Sequence, residues 1–126
     1  MFTDTQAYSS FAVPDIQAAQ RFYADTLGLR TSILSEEFGL LVLHLAGDRD
    51  TMVYAKPDHA PANYTIMGFP VEDVDAAVDD LASRGVGFER YDGFDQDEKG
   101  IARGQGPAIA WFTDPAGNIL SVHERM

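Results

Sequence analysis

The side chains with the widest chemical range in this sequence are three histidines, one tryptophan and five tyrosines. His123, close to the C-terminal end, could serve as a general base or a hydrogen-bond donor near neutral pH. Trp111 could stack on a planar ligand. Strand histidines are also commonly half-exposed structural residues, and tryptophans commonly fill a sheet interior or a dimer contact. Residue type alone therefore leaves structural, binding and catalytic uses open for both side chains.

Three familiar functional motifs are incomplete in this chain. Residues 95–106 begin like a calcium loop, but Lys99 stands in place of a third oxygen ligand and Gly106 in place of the closing glutamate. The glycines of 104–107 do not precede a helix, which excludes a dinucleotide phosphate site. No serine, histidine and aspartate stand in a nucleophile-elbow context. Because there are no cysteines, disulfides and thiolate metal sites are also excluded.

The bulk composition narrows the classes of partner. The chain has 126 residues, of which 45% are hydrophobic, enough for one packed domain. Its formal net charge of −11 disfavours nucleic acid and anionic membranes, since both bind basic patches. The N-terminus lacks the segments of a signal peptide, and no apolar run is long enough to span a bilayer. We therefore expect a cytoplasmic protein with neither a nucleic-acid nor a membrane partner.

One sequence pattern occurs twice. Val13, Asp15, Ala18 and Ala19 recur 58 positions later as Val71, Asp73, Ala76 and Ala77. A repeat of about half the chain length indicates that one structural unit is used twice. We therefore predict a single domain, 1–126, made of one unit over 1–57, a proline-containing linker over 58–63 and a second unit over 64–126.

Each unit is predicted to contain one strand, one helix and three more strands. Asp15 and Asp73 suit the N-cap position of the two helices, and Gly28 and Gly85 suit their C-terminal ends. Apolar periodicity predicts strands at 5–13, 29–35, 40–46, 51–56, 64–71, 86–91, 107–113 and 119–124. The polar, glycine-containing loop 92–106 is predicted to be the most mobile segment. The fold class is therefore α+β.

The order of these elements, the capping aspartates and two short motifs together resemble the vicinal oxygen chelate superfamily. The motifs are Phe22-Tyr23…Leu27-Gly28-Leu29 and Asp114-Pro115-Ala116-Gly117-Asn118. That superfamily includes glyoxalase, bleomycin-resistance proteins, extradiol dioxygenases and fosfomycin-resistance enzymes. The resemblance implies two tandem βαβββ units whose curved mixed sheets have the helices outside. It also implies a cavity, closed within one chain or across a homodimer.

Metal-using members of that superfamily have His, Gln or Glu ligands near the start of each unit's first strand and in its last strand. The resemblance assigns these positions to Tyr8, Tyr54, Ile66 and Ser121, with the register of Tyr54 dependent on a hairpin. Isoleucine has no lone pair, and serine and neutral tyrosine are poor ligands for such ions. We therefore predict no metal site and no cofactor.

Side-chain alternation along the strands predicts which residues would face the implied cavity. Met67, Phe112 and Val122 suit packing under a helix, so their sequence neighbours would face the opposite way. The predicted ligand-binding residues are Tyr8, Ser10, Tyr54, Ile66, Trp111, Ser121 and His123. This mixture of aromatic, apolar and hydroxyl groups is typical of a small-molecule pocket.

Three hypotheses for function follow. The first is metal-independent binding or sequestration of a small apolar or aromatic compound, as in bleomycin-type resistance. The second is a lyase, isomerase or dioxygenase type of enzyme with a non-standard site, which uses either His123 as base and Tyr8 as acid, or a metal held by His44, His123 and Glu124. The third is a non-catalytic dimeric interaction protein, which would have no cavity.

Overall fold

A computed structural model describes all 126 residues of the chain. It contains two compact units, Met1–His59 and Ala60–Met126. Each unit has one four-stranded mixed sheet and one helical segment, so the fold is α+β, as predicted. The boundary between the units lies after His59, within the segment 58–63 that the sequence predicts to be a linker. No helix is long and apolar enough to cross a bilayer.

The sheet of the first unit has the strand order β1-β4-β3-β2. Its strands are β1 (Ser9–Val13), β2 (Arg30–Ser35), β3 (Leu40–Leu45) and β4 (Arg49–Ala55). β1 runs parallel to β4, whereas β2, β3 and β4 are antiparallel neighbours. Side chains alternate between the two faces along each strand, and the strand register places Val13, Leu41, Leu43 and Val53 on the same face. All four are almost fully buried there. The first unit therefore has its core on this face of the sheet.

The second unit repeats this topology with the strand order β5-β8-β7-β6. Its strands are β5 (Thr65–Val71), β6 (Phe88–Glu89), β7 (Ile109–Thr113) and β8 (Ile119–Glu124). β5 and β8 are parallel, as β1 and β4 are in the first unit. Helix α2 (Val74–Ser83) packs Val74 and Val78 into a core shared with Ile101, Ala110 and Val122. The repeat in sequence is thus a repeat in structure.

Both helices begin at the aspartates that the sequence predicts as caps. In the first unit, helix α1 (Ile16–Gln20) is capped by Asp15, whose carboxylate accepts two backbone N–H groups at 2.9 and 3.2 Å. In the second, the carboxylate of Asp73 accepts the N–H of Ala76 at 3.0 Å. Each contact satisfies N–H groups that have no partner within the helix.

The predicted single helix ending at Gly28 is wrong in one respect, because α1 continues as a π-helix over Arg21–Thr26. The backbone N–H of Leu27 donates to the carbonyl of Phe22, five residues earlier, at 3.0 Å. Within this segment Tyr23 is fully buried and its ring lies 5.7 Å from that of Phe11 in β1. The apolar periodicity does not distinguish a π-helical turn, whose backbone hydrogen bonds join residues five apart, from an α-helical turn, whose hydrogen bonds join residues four apart.

The loop 92–106, predicted to be mobile, is held by many hydrogen bonds. The side-chain amide of Gln96 accepts the N–H of Tyr91 at 2.9 Å and donates to the carbonyls of Glu89 and Gly100 at 2.9 and 2.8 Å. Isolated bridges also pair Gln96 with Ala102 and Ala102 with Ile109. The loop therefore extends the edge of the second sheet.

Several strands are shorter than predicted. The strand predicted over 5–13 begins at Ser9, the one over 86–91 contains only Phe88–Glu89, and the one over 107–113 begins at Ile109. Apolar alternation continues beyond these limits, but pairing with a neighbouring strand does not.

Candidate functional site

Each sheet has one face that the helix of its own unit does not cover, termed the helix-free face. In the first unit, the strand register places Ser10, Ala12, Ser32, His44, Met52 and Tyr54 on this face. In the second unit, it places Gly68, Pro70, Ile109, Trp111, Ser121 and His123 there. Both faces combine apolar or aromatic groups with hydroxyl and imidazole groups.

A pocket of about 630 Å³ opens in the first unit, between residues 6–9 and the hairpin of β3 and β4. Tyr8, Val42, Leu45 and Met52 provide its apolar walls. Its polar lining includes Ser9, Asp48, Arg49, Asp50 and Thr51. The volume lies within the roughly 300–1,000 Å³ of typical small-molecule sites.

Tyr8 is the one predicted ligand-binding residue that lines this pocket. Its side chain is 64% exposed and therefore available for contact with a ligand. Ser10 and Tyr54 lie on the helix-free face of the same sheet, where their cross-strand partners are Met52 and Ala12. These two residues do not contribute to the pocket lining.

In the second unit, Trp111 belongs to an aromatic cluster. Its ring centroid lies 4.8 Å from that of Phe94 and 5.4 Å from that of Tyr91, both in edge-to-face arrangements. Trp111 is only 8% exposed, whereas Phe94 remains 43% exposed. Burial, with a smaller effect from the Glu89 carboxylate, raises the pKa of the Tyr91 phenol. Trp111 therefore offers little free surface on which a ligand could stack.

His123 presents one ring nitrogen as a hydrogen-bond acceptor. Its Nδ1 lies 2.9 Å from the backbone carbonyl of Glu124, and a carbonyl can only accept. Nδ1 therefore carries the proton in the neutral ring, which leaves a lone pair on Nε2. A Cβ at Gly68 would lie 3.4 Å from this Nε2 and 3.2 Å from Ser121 Oγ. Gly68 thus lies directly against both polar groups.

The residues at the metal positions implied by the resemblance do not suit a divalent ion. Ile66 lies at a register shift in β5 and offers no donor atom. Ser121 is buried, with 2% of its surface exposed, and its hydroxyl is a weak ligand. Tyr8 and Tyr54 bring only phenols, which bind such ions poorly when neutral.

The alternative metal set of His44, His123 and Glu124 fits no better. Both ring nitrogens of His44 already have hydrogen-bond partners. The Glu124 carboxylate accepts the N–H of Ala108 at 3.0 Å, and its strand neighbour His123 points to the opposite sheet face. No group of three or more His, Asp or Glu side chains in the structure is arranged to hold a metal ion.

The sequence profile of the Glyoxalase/Bleomycin resistance protein/Dioxygenase superfamily matches residues 5–122. The chain belongs to this superfamily. The match includes nearly all of both units and confirms the resemblance that the sequence motifs indicate. No curated protein sequence matches the chain.

Solved structures share the fold over almost the whole chain. An antibiotic-binding protein, TnmS3 from Streptomyces sp. CB03234, is 23% identical with a TM-score of 0.72, covering 98% of this chain and 99% of its own. A glyoxalase family protein from Enterococcus faecalis is 22% identical with a TM-score of 0.67, covering 98% and 100%. The fosfomycin resistance protein FosX from Mesorhizobium loti is 14% identical with a TM-score of 0.65, covering 98% and 93%. At these identities, the similarity establishes the fold alone.

One polar cluster was missed by the sequence analysis. Ser32 Oγ lies 2.7 Å from His44 Nε2, and His44 Nδ1 lies 3.0 Å from Asp50 Oδ1. The three residues come from three adjacent strands, β2, β3 and β4, and no local motif connects them. The signal that could have indicated the cluster is the hairpin register, which places His44 directly opposite Asp50.

Proposed function

We propose that this protein reversibly binds a small, partly apolar or aromatic organic molecule without a metal ion. The observation that carries the proposal is the pocket of about 630 Å³ in the first unit, with Tyr8 and Met52 in its walls. Apolar walls provide most of the affinity for such ligands, and a few polar groups fix their orientation. The antibiotic-binding function of TnmS3, a protein of the same fold, is consistent with this proposal.

The charges around the pocket favour a neutral or cationic ligand. Asp48 and Asp50 line it together with one cation, Arg49. Arg49 also donates a hydrogen bond to the carbonyl of Ala46 at 3.1 Å, which orients its guanidinium toward the hairpin. The whole chain has a net charge of −11, so long-range electrostatics also repel anions.

Displacement of a neutral aromatic dye tests this proposal. Nile red should bind the metal-stripped protein, and aromatic compounds should displace it. Met52→Trp would fill the pocket and should weaken dye binding at least about tenfold, a loss of about 1.4 kcal/mol in binding free energy. Ala82→Trp is the matched control, because Ala82 is an exposed residue of helix α2, in the other unit and outside the pocket. Equal dye binding by the Met52→Trp and Ala82→Trp variants would contradict a role for the pocket.

We also propose that the protein acts as a cytoplasmic homodimer. Large apolar side chains are exposed at Leu34, Phe38 and Tyr64, at 61%, 72% and 67% of their surfaces. Leu34 and Phe38 lie in one hairpin, that of β2 and β3, and neighbouring exposed apolar groups favour self-association. Sedimentation equilibrium should therefore give a mass near twice 13.8 kDa. A mass that stays at 13.8 kDa up to high micromolar concentration would contradict the dimer.

A further inference from the structure

The polar cluster of Ser32, His44 and Asp50 has the connectivity of a nucleophilic triad. Ser32 Oγ contacts one ring nitrogen of His44 at 2.7 Å, and Asp50 Oδ1 contacts the other at 3.0 Å. All three side chains share the helix-free face of the first sheet, because His44 pairs with Asp50 across the hairpin and Ser32 lies diagonal to His44. The arrangement therefore lies entirely within one unit.

The hydrogen bonds fix the direction of proton transfer. An ionised carboxylate can only accept, so the Nδ1 atom of His44 donates to Asp50. The neutral ring then has its lone pair on Nε2, and the hydroxyl of Ser32 must donate to it. An imidazole held in this tautomer by a carboxylate is the general base that activates a serine in hydrolases on unrelated folds.

We propose that Ser32 is an activated nucleophile that accepts acyl groups from small uncharged esters. This activity goes beyond the reversible binding proposed above, although its preference for apolar or aryl groups rests on the same pocket. In the first step, Ser32 Oγ bonds to the ester carbonyl carbon while its proton passes to His44 Nε2. The ester C–O bond then breaks, and the departing oxygen takes that proton and leaves as an alcohol.

Water completes the cycle without any further reactant. A water molecule gives a proton to His44 Nε2 and bonds to the acyl carbon. The bond from that carbon to Ser32 Oγ then breaks, and Oγ takes the proton back. The net reaction converts an ester and water to a carboxylic acid and an alcohol, with no oxidant or reductant.

The surroundings of the triad favour an ester with an apolar or aryl group. Asp50 lines the pocket of about 630 Å³, and so does Val42, the cross-strand partner of Ser32. The apolar walls of this pocket therefore begin one strand away from the nucleophile. Arg30 is exposed on the same face, where its cross-strand partner is His44.

Solvent exposure limits the expected rate. The side chains of His44 and Asp50 are 37% and 56% exposed, so water screens their interaction. General-base catalysis by a positioned side chain contributes roughly 10²–10⁴-fold. We expect the low end of that range, and therefore a slow esterase that a covalent probe detects more sensitively than turnover does.

The test combines a fluorophosphonate probe with hydrolysis of p-nitrophenyl acetate by the intact chain. Peptide mapping should find a single phosphonyl adduct, on Ser32. Ser32→Ala should abolish that adduct, and His44→Gln should slow its formation at least about tenfold. Ser83→Ala is the matched control and should change neither the adduct on Ser32 nor the rate of ester hydrolysis. Ser83 is an exposed serine whose hydroxyl donates to the carbonyl of Asp80, so it has no histidine as a base. Adducts distributed equally over exposed serines, or unchanged hydrolysis in Ser32→Ala, would overturn the proposal.

Two further pairs of variants separate catalysis from loss of folding. Asp50 acts through His44 as a positioning residue, so Asp50→Asn should slow labelling of Ser32 while Asp50→Glu restores part of the rate. Ser32→Cys should be alkylated by iodoacetamide at least about tenfold faster with His44 present than in the variant that also carries His44→Gln. Equal alkylation of these two folded proteins would show that His44 does not activate position 32.

Discussion

At the scale of single residues, Asp114 organises the turn between β7 and β8. It is buried, and its Oδ1 accepts the backbone N–H groups of Ala116 and Asn118, both at 2.9 Å. Its Oδ2 accepts the side-chain amide of Asn118 at 3.0 Å. One carboxylate thus satisfies three donors within the turn that the sequence predicts.

Loss of this carboxylate should destabilise the protein strongly. Asp114→Ala would leave three donors without this acceptor, and we expect it to lower the free energy of unfolding by about 3 kcal/mol. Urea denaturation followed by circular dichroism measures the change. Asp95→Ala is the control, since Asp95 is an exposed loop residue, and should stay within about 0.5 kcal/mol of the parent chain. Similar stabilities for the two variants would refute this role of Asp114.

Phe94 controls the environment of the only tryptophan. Because the rings of Phe94 and Trp111 are 4.8 Å apart, Phe94→Ala should expose the indole to water and shift its fluorescence emission to longer wavelength. Phe2→Ala is the control, because Phe2 is 74% exposed and belongs to the other unit. An unchanged emission maximum in Phe94→Ala would mean that the cluster does not form in solution.

At the scale of elements, ion pairs join the loop 92–106 to helix α2. Arg103 Nη2 lies 2.8 Å from Asp75 Oδ2, and Lys99 Nζ lies 3.0 Å from Asp79 Oδ1. The Arg103 guanidinium holds the pKa of the Asp75 carboxyl below its ordinary value, and the Asp79 carboxylate raises the pKa of Lys99. The four side chains are between 37% and 63% exposed, so added salt should weaken these contacts.

The direction of these pKa shifts gives the pH dependence of the loop. The contribution of Asp75 is present above its ordinary pKa of 3.8 and is lost as the pH falls through its lowered value. The contribution of Lys99 is present below 10.5 and is lost as the pH rises through its raised value. Between these limits, near neutral pH, the ion pairs should contribute a constant stability.

Hydrogen exchange of residues 92–106 measures the strength of these ion pairs. After correction for intrinsic rates, exchange should be faster at pH 3 than at pH 7, and faster in 1 M salt than in 0.05 M. Arg103→Gln should remove part of the salt effect, and Arg103→Gln combined with Lys99→Gln most of it. Arg84→Gln removes an ion pair with Asp80 at the C-terminal end of α2 and should leave the salt effect unchanged. A salt effect of equal size in the double variant and in Arg84→Gln would contradict the assignment to the loop contacts.

The elements were largely predictable from the sequence, whereas the side-chain clusters were not. Caps at Asp15 and Asp73 and the repeated strand order follow from local patterns, which act over a few residues. The contact between Ser32 and His44 depends on the pairing of two strands, so residue spacing alone could not reveal it. The ring contact between Phe94 and Trp111 depends on the path of the loop 92–106, and apolar periodicity does not predict that path.

For the molecule as a whole, the fold is one that metal-dependent enzymes share, but the residues at the implied metal positions do not suit a metal ion. The chain has the fold of a superfamily that includes metal-dependent enzymes, and its profile match covers residues 5–122. The four positions that would hold a metal carry two phenols, a serine and an isoleucine. The fold is therefore compatible with several activities, and the side chains determine which of them is available. These residues are the reason that we propose ligand binding without a metal ion.

Native mass spectrometry of the metal-stripped protein can test whether ligand binding needs a metal ion. The protein would be exposed to low micromolar nickel, zinc, manganese or iron(II), and separately to an aromatic compound that displaces Nile red. We predict that the compound binds in the absence of any metal and that no ion binds stoichiometrically. One ion bound per chain, with the compound retained only when that ion is present, would contradict the account and indicate a metal-dependent site.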